Sequence, residues 1–101
     1  MKDVIITVKK TARYPDLIEE YEKSETSHCD MTEGKVFISK CANKPSGFCE
    51  SAWQNLFPYV FALSSGASDF YDGWMKDKNK AMISCNDGFR PVSFLLETKN
   101  D

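Results

Sequence analysis

Ala81-Met82-Ile83-Ser84-Cys85-Asn86-Asp87-Gly88-Phe89-Arg90-Pro91-Val92-Ser93-Phe94-Leu95-Leu96 is the stretch that decides the fold. Two apolar runs, 81–85 and 92–96, read as strands. Between them Asn86-Asp87-Gly88 is a strong turn signal, since these residue types tolerate positive φ. Pro91 stands at the start of the second run, where its missing amide donor does no harm to a ladder. A closing β-hairpin follows, which makes at least part of the sheet antiparallel.

Upstream, residues 49–65 form the main helical block. Ala52, Trp53, Leu56, Phe57, Val60, Phe61 and Leu63 recur at helical spacing and predict one buried stripe. Pro58 interrupts it: proline lacks an amide hydrogen and its ring crowds the carbonyl of Gln54, at a cost of about 3 kcal/mol in a regular helix. The expectation is a kink, or two short helices with Pro58 in the first turn of the second. Ser64-Ser65-Gly66 supplies the stop, and 67–79 is a polar connection carrying Tyr71, Trp74 and Met75, some of whose aromatics are expected to fold back as a lid on the core.

Further upstream, Pro45 and Gly47 mark 42–48 as a loop, and 35–40 is a strand with Val36 and Ile38 pointing one way and Phe37 the other. A polar connection, 27–34, holds His28 and Cys29. Asp16-Leu17-Ile18-Glu19 reads as a helix start with Asp16 as cap and Glu19 reaching back to it. Tyr14, Leu17, Ile18 and Tyr21 share the apolar face of that helix, while Glu19, Glu20, Glu22 and Lys23 form a solvated one. Residues 3–9 alternate as a strand with Val4, Ile6 and Val8 on one face. The order strand, helix, strand, long helix, strand, strand predicts a single α+β domain over 1–101. Its mixed or antiparallel sheet ends in a C-terminal hairpin and packs against the long Pro-interrupted helix.

The bulk composition agrees. At 101 residues, 42% hydrophobic and 13% aromatic, the chain has the apolar volume for one compact core. Its 13 Lys and Arg against 15 Asp and Glu give a net charge of -2, with no basic stripe, which argues against nucleic-acid binding. The N-terminal apolar run is too short and too alternating for a signal peptide, and the longest apolar stretch, 56–63, has the length of a core helix rather than a membrane span. A cytoplasmic location without membrane attachment is therefore expected, where thiols stay free or metal-bound.

Cys29, Cys41, Cys49 and Cys85 are the residues with chemistry to offer. No Cys-x-x-Cys is present, so neither a zinc knuckle nor a thioredoxin-type pair is spelled out. The runs Pro45-Ser46-Gly47-Phe48-Cys49-Glu50-Ser51-Ala52-Trp53 and Cys85-Asn86-Asp87-Gly88-Phe89-Arg90-Pro91-Val92-Ser93-Phe94, with Pro58 between them, resemble a family of small uncharacterised bacterial and archaeal proteins. That family shows a cysteine before a Gly-containing strand, a Pro-x-Gly-Phe-Cys-x-x-Ala-Trp segment and a Cys-x-Asp-Gly-x-Arg-Pro-Val close. Cys29, Gly34, Cys49, Trp53, Cys85, Asp87 and Pro91 fall on this pattern; Cys41 does not, and a few extra residues stand near 67–72. The resemblance implies no activity.

Three functional readings follow. In the first, the chain is a small binding module whose Cys29, Cys49 and Cys85, completed by His28, Cys41, a carboxylate or water, hold zinc or an iron–sulfur cluster, since sets of soft thiolates select these metals. In the second, Cys49 opens the long helix, where unpaired amides favour a thiolate, and acts as nucleophile or redox centre with Cys29 or Cys85 resolving it. In the third, the cysteines are small packing residues of a structural or partner-binding domain. Asp87 and Arg90 beside Cys85 are candidate ligand contacts, although turn chemistry and an Arg90 pair with Asp87 or a helix carboxylate explain them better. Trp74, in a polar loop, is a candidate ligand or interface residue; with Trp53, Phe48 and Tyr71 it is also a candidate pocket wall.

Overall fold

The computed structural model describes residues 1–23 and 30–99. The chain runs β1 (Val4–Thr11), α1 (Pro15–Tyr21), β2 (Val36–Ser39), α2 (Glu50–Ser64), β3 (Lys80–Ser84) and β4 (Val92–Thr98). The strands form one sheet in the order β2-β1-β4-β3, every neighbouring pair antiparallel, so the first and last strands pair in its middle. This is the α+β domain the sequence predicts, with α2 laid on one face.

Strand alternation sorts the side chains. Val4, Ile6 and Val8 of β1, Phe94 and Leu96 of β4, and Ala81 and Ile83 of β3 point inward, where Ala52, Leu56, Val60 and Leu63 of α2 meet them in one buried cluster. Burying each larger side chain contributes about 1.5–3 kcal/mol. The opposite face carries Val36 and Ile38 of β2, Ile5 and Thr7 of β1, Leu95 of β4 and Met82 of β3, which the register aligns into cross-strand rows. Phe37, between Val36 and Ile38, turns inward and meets Phe48 edge-on, ring centroids 4.9 Å apart. Among the described residues, no helix is long and apolar enough to cross a membrane.

Several details differ from the sequence reading. The long helix is continuous through Pro58, which sits inside it. The lost donor removes one hydrogen bond, and the ring lies on the exposed side, while Leu56 and Val60 on either side are wholly buried and hold both halves on the sheet. The apolar stripe is narrower than expected. A single helix on a sheet buries one face, and Trp53, Phe57 and Phe61 lie round its flank as a ladder with centroid spacings of 5.7 and 5.9 Å, Phe57 and Phe61 exposed.

The short helix α1 starts at Pro15 with Tyr14 as its cap and no side-chain capping bond, so the expected Asp16 box does not form; Asp16 lies in the first turn. Of its predicted apolar face only Ile18 is buried. The cause is location: Ala12 N–H donates to Pro91 O and Tyr14 N–H to Phe89 O, both at 2.9 Å, which fastens this stretch to the β3–β4 connection rather than to the inner face. The connection itself turns without positive φ at Asn86, Asp87 or Gly88. In the 65–79 connection Phe70 packs on Tyr59 with centroids 5.9 Å apart and rests against the core, whereas Tyr71 is exposed and donates its hydroxyl to Met82 O and Trp74 is 85% exposed, so Phe70 covers the core in place of the expected Tyr71 and Trp74.

A large-to-small change therefore separates the two sides of α2. Leu56→Ala is expected to cost about 2–5 kcal/mol, and Phe61→Ala less than about 1 kcal/mol, in urea denaturation. Equal costs would contradict the assignment of faces.

Candidate functional site

Cys49 and Cys85 come from opposite ends of the α2–β3 unit and line one small cavity of about 90 Å³. Ser51, Asp87 and Arg90 share its wall, and Ala52, Val92 and Phe94 form an apolar floor continuous with the core. Both thiols are partly exposed and both pack against the core cluster.

The segment leading to α2 sets Cys49. Phe48 N–H closes a turn onto Pro45 O at 3.1 Å, with Gly47 at φ +76, a conformation glycine adopts without strain. Phe48 is buried and anchors the turn, and Lys44 ties it to the helix by donating to Phe48 O at 3.1 Å while pairing with Glu50 at 2.9 Å. Cys49 then occupies the N-cap position in extended conformation, its side chain not engaged in capping. The first-turn amides of α2 lack intrahelical acceptors and carry the positive end of its dipole, which favours negative charge at that end.

Cys85 closes the hairpin in an unusual way. Its N–H donates to Val92 O at 3.0 Å, but Val92 N–H donates to the Cys85 sulfur at 3.3 Å. The sulfur is thus positioned by the last rung of the ladder. Asn86 N–H donates to Asn55 Oδ1 at 2.9 Å and fastens the connection to α2. The Asp87 carboxylate accepts from Phe89 N–H at 2.8 Å and Arg90 N–H at 3.1 Å, which builds the turn through a side chain rather than through left-handed backbone.

Arg90 reaches back across the connection and forms a forked pair with Glu22, at 3.0 and 2.8 Å. The two side chains are only 15% and 20% exposed. The hydrogen bonds from Arg90 hold the Glu22 carboxyl below its ordinary value, with the guanidinium charge adding to the effect against the opposing pull of desolvation. Glu22 follows the last residue of α1, and nothing in its sequence setting distinguishes it from Glu19 and Glu20; it is the residue of this site that the sequence reading placed on a solvated face. Asn55 was equally silent, because its role depends on where the hairpin lands.

The other candidates lie apart from this cavity or outside the described residues. His28 and Cys29 are outside them, so the four-ligand set of His28, Cys29, Cys49 and Cys85 is present here only as its Cys49 and Cys85 half. Cys41 is exposed in the turn after β2, at φ 51, and does not line the cavity. Trp74 lies in the connection that enters β3, whereas Asp87 and Arg90 lie in the one that leaves it. Among the described residues no group of three or more His, Cys, Asp and Glu side chains is close enough to hold a metal ion. No family model, curated protein or solved structure matches the chain, so the site is read from its own geometry.

The Glu22–Arg90 pair makes stability pH-dependent. A carboxylate held below its ordinary value of 4.5 stabilises the fold fully above that value, and the contribution is lost as pH falls through the lower folded value. Denaturation profiles of the wild type should therefore fall more steeply than those of Glu22→Gln between neutral pH and about pH 3. Parallel acid limbs would show that the pair does not contribute.

Proposed function

We propose that this protein is a small thiol-dependent module in which Cys49 is the reacting group and Cys85 the second thiol of the same pocket. The observation that carries the reading is the convergence of these two cysteines, distant in sequence and on different elements, on one cavity that also contains Arg90. The helix-start amides beside the cavity favour an anionic or polarised small substrate. Ser51 supplies a hydroxyl donor on the same wall. The small volume restricts the reacting partner to a compact group, presented by a small molecule or by an exposed side chain. Free thiols at Cys41, Cys49 and Cys85 suit a reducing compartment such as the cytoplasm.

A second reading, a soft metal ion bound between Cys49 and Cys85, is favoured by the Val92 N–H directed at the Cys85 sulfur, since such bonds stabilise metal-bound thiolates. Its remaining ligands would come from Cys29 and His28. Elemental analysis of protein purified without air or chelator separates the two: zinc or iron lost in both Cys49→Ser and Cys85→Ser supports the metal, and metal-free protein opposes it.

Cys41 provides an internal reference for the first reading. Under limiting iodoacetamide at neutral pH, followed by peptide mass spectrometry, Cys49 should be modified roughly tenfold faster than Cys41 although it is the less exposed thiol. A faster Cys41 would mean that exposure alone governs reactivity, and the thiol-dependent reading would fail.

A further inference from the structure

The two edges of the sheet are treated differently. On β3 the Tyr71 hydroxyl donates to Met82 O, an outward carbonyl of that edge. Tyr71 holds φ 59, with Asp69 and Asp72 also at positive φ, so the connection spends backbone strain to put the ring there. Partial burial of the ring pushes the Tyr71 hydroxyl above its ordinary pKa, so it remains a proton donor near neutrality. That carbonyl is therefore taken at the middle of the β3 edge.

Among the described residues no such contact meets the β2 edge. Val8 N–H donates to Lys35 O at 2.9 Å and Gly34 N–H to Val8 O at 2.8 Å, which fixes the phase of the β1–β2 ladder. With the register Ile6 to Phe37 and Val4 to Ser39, alternation turns the main-chain groups of Phe37 and Ser39 toward β1 and those of Val36 and Ile38 outward. Among the described residues no hydrogen-bond partner meets the outward N–H and C=O groups of Val36 and Ile38. Their side chains are 54% and 41% exposed. An edge that is both unpaired and apolar is a template for another strand.

Charge selects the strand. Lys35 and Lys40 bracket β2, and neither has a carboxylate partner among the described residues; Lys35 instead rests over the Phe37 ring, 5.3 Å from its centroid. Two copies of this chain pairing antiparallel through β2 would set the Lys35 end of one strand against the Lys40 end of the other, bringing like charges together at both ends. We propose that β2 is a docking edge for an extended peptide segment of another protein, with apolar residues at alternate positions and acidic residues flanking them. The peptide would add a fifth strand, its main chain bonding to Val36 and Ile38 and its outer side chains packing beside theirs, while its acidic ends meet Lys35 and Lys40.

Fluorescence anisotropy with two panels of labelled, terminally blocked peptides tests this on the full chain. Both panels carry Val, Ile, Leu or Phe at alternate positions; one has Asp and Glu at its ends, the other Lys. The acidic panel is expected to contain binders that lose roughly tenfold in affinity when Ile38→Pro removes one outward donor, a change an edge strand tolerates because that donor faces away from β1. A Lys35→Glu, Lys40→Glu double variant, whose changes are both on the surface, should reverse the preference to the Lys-ended panel. The proposal is overturned if neither panel binds the wild type, if the double variant keeps the acidic preference, or if sedimentation shows a dimer that Ile38→Pro dissolves.

Discussion

Leu56, Val60 and Leu63 lie wholly buried beside Ile6, Phe94 and Leu96, and the placement of everything else depends on that contact between one helix and one sheet face. The helix must run along the sheet to keep its stripe covered, which fixes where its two ends fall. At the far end Lys2 N–H donates to Ser64 O at 2.9 Å and pins the C-terminus of α2 beside the start of β1. Near the other end Asn55, in the second turn of α2, accepts from Asn86 and ties the helix to the β3–β4 connection. Cys49 and Cys85 therefore line one cavity because the core sets the helix, not because either cysteine directs the fold.

Polar contacts then stiffen the cavity that results. The Asp87 turn, the forked Glu22–Arg90 pair and the Val92 bond to the Cys85 sulfur each act on the same short connection. A forked, mostly buried arginine pair has a narrow range of geometry, so it fixes direction as well as contributing energy. Such a connection presents its thiol and guanidinium in constant relation to the helix start.

Much of the architecture was legible in the chain. The alternation of Val4, Ile6 and Val8, the hairpin signal at 86–88 and the helical recurrence of Ala52, Leu56, Val60 and Leu63 each follow from local periodicity. The misreadings share a cause: they concern how far tertiary contacts extend. Periodicity assigns Phe57 and Phe61 to an apolar stripe but does not say how wide a strip one sheet covers, and Pro58 breaks a helix only where nothing holds the two halves down. At the site, the approach of Cys49 to Cys85 and the choice of Glu22 over Asp87 as partner of Arg90 depend on strand order, which no local pattern encodes. The bare β2 edge was hidden for the same reason, since a strand becomes an edge only through its neighbours.

The central claim is that Cys49 and Cys85 share one pocket in the folded monomer. A short bifunctional thiol reagent, dibromomaleimide, applied to a Cys29→Ser, Cys41→Ser protein at high dilution, tests it most directly, with the product read by peptide mass spectrometry. The account predicts one reagent per chain bridging Cys49 to Cys85 in native protein, and loss of the bridge in denaturant. Native chains in which each thiol is modified separately, with no internal bridge, would contradict it.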